Sequence, residues 1–341
     1  MEIAIALLII AVGSFGQSSS YVPIKKVHEW SWESFWIVQG IFAWLVFPFL
    51  GALLGCPKGA SLPQLWSEGN VPLIVGYGIL WGVGGLTFGL SMRYLGVALG
   101  QSIALGTCSA FGTLLPALLA GTDLLHGQGL LLLCGVAVTI AGISVIGYAG
   151  SLRSKSMSEE ERRKAVKDFA LTKGLAVALL CGVMSACFAL GLEAGSDVKQ
   201  AALDGGVDAL FAGLPVIFLV TLGGFFTNAA YCLQQNAVHH SFADYAKLNV
   251  WPRNLFFCAL AGVLWYSQFF GLEMGKSFLT DSPVLLAFSW SILMALNVSF
   301  SNVWGLLLKE WKGCSRRTII VLIAGLLILI LSILLVALAQ Q

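Results

Sequence analysis

Long uncharged runs separated by short clusters of charge set the plan of this chain. Ten runs qualify: Ile3–Ile24, Ser34–Gly55, Val71–Met92, Val97–Gly121, Gln128–Gly150, Gly174–Leu192, Ala209–Leu233, Leu255–Leu272, Pro283–Leu307 and Thr318–Ala339. Crossing about 30 Å of hydrocarbon takes about 20 helical residues, and a soluble domain has no need of ten such runs. The pattern predicts an all-α integral membrane protein with ten transmembrane helices. The longest connection, Ser151–Lys173, carries RSKSMSEEERRKAVKD and divides the spans five and five. A short surface helix or a flexible linker is expected there.

A second pattern crosses that division. The stretch Gly78–Gly96 (GILWGVGGLTFGLSMRYLG) returns as Gly262–Met274 (GVLWYSQFFGLEM), both reading Gly, an aliphatic residue, Leu, Trp, a spacer and Phe-Gly-Leu-x-Met. The copies fall in the third span of each half. An odd number of spans per half turns the second copy upside down, so two inverted five-helix repeats are expected. The organisation reads as residues 1–150, a charged cytoplasmic linker at 151–173, and residues 174–341.

Composition sharpens this. With 58% hydrophobic and 11% charged residues, the chain is far too apolar for an ordinary soluble domain. The net charge of +2, without a basic face, gives no reason to expect nucleic acid as a partner. Six of the eight cysteines lie inside apolar runs and none forms C-x-x-C, so they read as small hydrophobes. Met-Glu at the start lacks a basic signal-peptide region, and the first run is expected to remain a membrane helix. Of the 19 lysines and arginines, only Lys58, Lys199 and Lys276 fall outside the loops after odd-numbered spans. The rule that basic loops stay cytoplasmic then places both termini outside.

Polar groups inside spans are costly unless paired or facing water, which makes them candidates for function. Gln17, the serines that follow and Tyr21 close the first span, before Pro23, Lys25 and Lys26. They line either a packed small-residue contact or a watered cavity. Glu33 opens span two among Trp30, Trp32 and Trp36; an interfacial aromatic belt explains those tryptophans, and Glu33 is expected to pair with Lys25 or Lys26 or to carry a proton. Arg93 closes span three. Asn228, Gln268, Asn297 and Asn302 lie within later spans, as helix glue or as donors and acceptors for a polar substrate. Trp81 and Trp265 are equivalent in the two copies, and a tryptophan beside amides suits a sugar: an apolar face for C–H groups and forked hydrogen bonds for hydroxyls. Glu193 and Glu273 stand near span ends, as solvated residues or proton sites.

The four histidines fall in loops, and no catalytic triad, zinc motif or phosphate loop is present. An enzyme is not expected, nor a cofactor or metal.

Lys25-Lys26-Val27 with Trp30-Ser31-Trp32-Glu33, Met92-Arg93-Tyr94-Leu95-Gly96, Trp265-Tyr266 with Gln268-Phe269-Phe270, and Leu308-Lys309-Glu310-Trp311 resemble the bacterial L-rhamnose/proton symporter family of the drug/metabolite transporter superfamily. The resemblance runs nearly end to end. It implies ten helices in inverted repeats in the inner membrane, and uptake of a 6-deoxyhexose coupled to protons. The matching positions are Tyr21, Pro23, Lys25, Lys26, Glu33, Trp81, Arg93, Asn228, Trp265, Tyr266 and Gln268; Gln17–Ser20 and Glu273 depart from the pattern. The expected assignment is substrate contact by Tyr21, Trp81, Asn228, Trp265, Tyr266 and Gln268, with Glu33 as the proton-linked carboxylate and Lys26 as its partner. Expected partners are a small sugar, protons and the lipid bilayer. A facilitator or exporter of another metabolite, and a membrane sugar sensor, are the alternatives.

Overall fold

The computed structural model describes residues 2–95, 97–156 and 171–340, so most of the charged linker lies outside the described residues. The helices are α1 (Glu2–Ser19), α2 (Tyr21–Ile24), α3 (Trp32–Gly40), a π-helical stretch (Ile41–Val46), α4 (Phe47–Leu54), α5 (Leu62–Trp66), α6 (Val71–Leu95), α7 (Val97–Leu119), α8 (Gly127–Lys155), α9 (Leu171–Ala194), α10 (Ser196–Asp204), α11 (Leu214–His239), α12 (Trp251–Lys276), α13 (Pro283–Leu307) and α14 (Arg316–Leu338). Ten stretches among the described residues are long and apolar enough to cross a membrane, from Glu2–Ile24 to Arg316–Leu338. The chain is a multi-pass helical membrane protein.

Prolines shift two boundaries from the hydrophobic pattern. The seventh span begins at Leu214, not Ala209, because Pro215 takes the first turn of α11 while Asp208 holds a tight turn before it. Likewise α12 begins at Trp251, with Pro252 in its first turn.

The helices form two compact units. One comprises Met1–Gly82 and Gly191–Phe278, the other Val83–Leu190 and Leu279–Gln341. Without a hydrophobic drive between helices in lipid, small residues must let backbones approach closely. In the first unit α1 lies along α12: a Cβ on Gly13 would fall 2.5 Å from the carbonyl oxygen of Ser267 and 3.2 Å from Cα of Gly271. Ser267 Oγ donates to Gly13 O at 2.9 Å. A similar seam joins α6 to α11, where Gly78 meets the Val220 backbone, Gly223 meets that of Val75, and Thr227 Oγ1 donates to Ile79 O at 3.0 Å. In the second unit α8 and α14 meet through Gly142 and Gly325, and Thr139 Oγ1 donates to Ser332 Oγ at 3.0 Å. There Ser291 also bridges Ser109 and Thr113, each at 2.8 Å.

The turn between α2 and α3 is tied down by its partners. His28 and Asn254 exchange two hydrogen bonds, His28 N to Oδ1 (3.1 Å) and Nδ2 to His28 O (2.8 Å). Trp30 is buried edge-on against Tyr245 and Trp251, with ring centroids 6.0 and 5.0 Å away. This corrects the aromatic-belt reading for Trp30, which serves the protein interior. Asp244 closes the tie by accepting from Ser31 N (2.7 Å) and Lys247 Nζ (2.8 Å). Burial alone would raise the Asp244 carboxyl, but Lys247 and Ser31 outweigh it and push the pKa down to about 2.

Two outcomes follow for thermal unfolding in detergent. Gly13→Leu should lower the midpoint severely by forcing α1 from α12, whereas Ser267→Ala removes one hydrogen bond and costs on the order of 0.6 kcal/mol. A group with a lowered folded pKa contributes stability above its unfolded value of about 3.9 that is lost as pH falls. Asp244→Asn should therefore cost roughly 2 kcal/mol near neutral pH. Its deficit against wild type should shrink as pH falls from the unfolded value toward about 2.

Candidate functional site

The first unit gathers indoles near the midpoints of its long helices. Trp44, in the π-helical stretch, has ring centroids 5.8 Å from Trp36, 6.2 Å from Trp81 and 5.8 Å from Trp265. Trp81 and Trp265 are 5.9 Å apart, and Phe269 lies 5.2 Å from Trp265. In a regular helix eight residues advance about 800°, leaving Trp44 about 80° from the face of Trp36. The wider π turn winds back most of that angle, and the Phe47 N–H accordingly bonds Phe42 O, five residues earlier. Pro48 gives the reason: it has no N–H for the Trp44 carbonyl and its ring crowds that carbonyl. The Trp44 ring lies across Gly40, where a Cβ would come within 2.7 Å of it.

Asn228 faces this cluster. Its Oδ1 accepts from Trp36 Nε1 at 3.2 Å and its Nδ2 donates to Gly224 O at 2.9 Å. Gly224 is where Trp81 seats, since a side chain there would collide with the indole. Two buried polar atoms in the span carrying Trp36 and Trp44 have no hydrogen-bond partner: Gln39 Oε1 and Trp44 Nε1. Buried groups of this kind are costly to leave unpaired.

Glu33, at the start of α3, is buried against the end of α11. Its Oε1 lies 2.7 Å from Ser241 Oγ and 3.0 Å from His239 Nδ1. Ser241 Oγ also lies 3.0 Å from Asn236 Oδ1, which accepts from Ser34 Oγ at 2.9 Å; Ser34 in turn meets Ser31 Oγ at 2.8 Å. The expected pairing of Glu33 with Lys26 is therefore corrected: Lys26 is exposed, and His239 and Ser241 take its place.

Glu273, at the far end of α12, is 3% exposed and forms an ion pair with Lys199 of α10. Its carboxylate lies against Gly213, which has no room for a side chain. The reading of Glu273 as a solvated span end is overturned; Glu193 is exposed.

The other expected residues are scattered. Tyr21 is exposed and makes no ring contact with the tryptophans. The Tyr266 hydroxyl lies against Gly51, buried and without a partner, and its ring meets Phe270 at 6.1 Å rather than the indole cluster. Gln268 Nε2 donates to Trp265 O at 3.1 Å. Gln17 accepts from Ser18 Oγ at 3.3 Å. Asn297 and Asn302 belong to the second unit, where Asn302 Nδ2 donates to Val298 O at 2.9 Å. The Arg93 side chain lies outside the described residues. Residues that the pattern missed are Trp44, Gln39, Asn236, His239 and Ser241.

Over residues 1–341 the chain matches the model of the L-rhamnose-proton symport protein (RhaT) family. It is 33% identical over 328 residues to L-rhamnose-proton symporters of Yersinia pestis (strain Pestoides F) and Yersinia pseudotuberculosis serotype O:1b (strain IP 31758), covering 94% of this chain and 93% of each relative. A match of that extent makes the chain a member of the L-rhamnose-proton symport protein family.

Proposed function

We propose that this protein imports L-rhamnose, or a closely related 6-deoxy, hexose or pentose sugar, together with protons by alternating access. The observation that carries the reading is the cluster of Trp36, Trp44, Trp81 and Trp265 around Asn228. Indole faces suit the C–H faces of a deoxysugar, and the unpartnered Trp44 N–H and Gln39 carbonyl offer a donor and an acceptor to hydroxyls. Their place near the middle of the spans fits substrate binding at the bilayer midplane. Trp81, Trp265, Asn228 and Gln268 contact the sugar, while Glu33 carries the proton-linked charge.

Inverted five-helix repeats at 1–150 and 174–341, joined by the 151–173 linker, belong to the same reading. The seam of α1 with α12, spans one and eight, has a counterpart in spans six and three, where Gly84 abuts the Ser185 backbone and Cys181 Sγ meets Gly84 O at 3.2 Å. An inverted duplication pairs those spans. Both echoed tryptophans reach one cluster. The superfamily placement, the bacterial inner membrane and periplasmic termini complete the proposal; the last follows from the distribution of lysine and arginine.

Uptake of labelled L-rhamnose into proteoliposomes tests it. An inward proton gradient should drive accumulation above equilibrium that collapses with a protonophore; sugar equilibration unaffected by the gradient would leave only a facilitator. Trp265→Ala and Asn228→Ala should each lower uptake at subsaturating sugar by about tenfold or more, since losing a buried hydrogen bond or stacking partner costs about 1–3 kcal/mol. Glu33→Gln should abolish gradient-driven accumulation, and intact accumulation would remove Glu33 from the coupling role.

A further inference from the structure

Among the described residues, Glu33 has one neighbour that can pass its proton to water. The side chain of Glu33 is 7% exposed, and its bonded partners are Ser241 and His239. A serine hydroxyl does not ionise near neutral pH. An imidazole can gain or lose a proton in that range, and the His239 side chain is 57% exposed. The imidazole thus spans the boundary, with Nδ1 3.0 Å from Glu33 Oε1 and more than half the side chain uncovered.

We propose that His239 is the proton relay between Glu33 and the aqueous phase, on the side of the membrane that carries Lys25, Lys26, Lys247 and Arg253. The inference rests on the proton-coupled reading above and adds a residue to it. In the protonating direction, Nε2 takes a proton from hydronium, leaving water, and the Nδ1 proton passes to Oε1. The products are a neutral imidazole of the other tautomer and a neutral carboxylic acid. Release runs the same steps backwards, so charge and protons balance without a further reactant.

The surrounding groups leave this route to His239. From the turn after α11, Asp244 is engaged by Lys247 and Ser31, and the Tyr245 hydroxyl donates to Ser34 O at 3.3 Å. Cys232 of α11 and Cys258 of α12 are buried thiols, a class that ionises above neutral pH. The backbone supports the geometry. α11 ends at His239 because His240 takes a left-handed conformation (φ 56°), and the chain turns at once to bring Ser241 onto the same carboxylate oxygen.

The test uses the full chain in proteoliposomes and compares net gradient-driven uptake of labelled L-rhamnose with exchange against internal unlabelled sugar. Exchange needs no net proton release, so it also reports on folding and sugar binding. His239→Gln keeps an amide able to bond Glu33 but cannot relay a proton. Net uptake in this variant should fall about tenfold more than exchange, within the range for loss of a positioned proton-transfer group. Its pH profile should flatten across the histidine range, and added imidazole should restore net uptake through the uncovered position. Equal loss of net uptake and exchange without imidazole rescue would overturn the relay and make His239 structural. Undiminished net uptake in His239→Gln, beside its loss in Glu33→Gln, would overturn the relay and leave the carboxylate assignment standing. Undiminished net uptake in both variants would overturn that assignment and the relay together.

Discussion

Absence of water inside the bilayer is the constraint on which the rest of this structure depends. A polar group carried into a span is costly unless it finds a partner in the protein or faces water. Many close on their own helix: Thr221 Oγ1 donates to Ile217 O, Asn302 to Val298 O and Ser299 to Ala295 O, at 2.8–2.9 Å. Glycine makes a second kind of closure possible, since backbones in contact leave no room between α1 and α12 for lipid or water. Groups that do neither stand apart. Asn228 and Asn236 satisfy only their amide nitrogens on their own helix and turn their oxygens to other elements.

Glu33 and Glu273, two of the buried carboxylates of the first unit, show how a partner changes what a charge can do. Glu273 is held by Lys199 in an ion pair. Removing Lys199 would strand the buried Glu273 carboxylate, so the pair favours a fixed local structure. Glu33 is held by a histidine and a serine, so its charge balance changes with the protonation of an exposed ring. The carboxylates lie toward opposite ends of α12, whose first turns hold the Glu33 region through Asn254 and whose last turn carries Glu273.

The ten spans were legible because hydrophobicity must persist for the thickness of the bilayer, and charge ends each run. Trp81, Trp265 and Asn228 were legible because a repeat and a buried amide leave marks in the sequence. Trp44 left none: its place depends on the π turn before Pro48, a change of helical register that periodicity assumes away. The partner of Glu33 was hidden for a different reason. His239 lies 206 residues away in sequence and sits at a helix end, where a histidine reads as ordinary loop. Lys26 was the nearest basic residue in sequence, and nearness in sequence misled. Glu273 misled in the same way, since a position near a span end says nothing about the short helix α10 that covers it.

The central claim is that the indoles around Asn228 form the sugar site, and its most direct measurement is a fluorescence titration of the purified protein with L-rhamnose. The chain has 11 tryptophans, so the signal must be assigned by substitution. The account predicts a saturable change in tryptophan emission that is lost or strongly weakened in folded Trp44→Phe. An identical saturable change in that variant, or no change in the folded wild type at concentrations that support uptake, would contradict it.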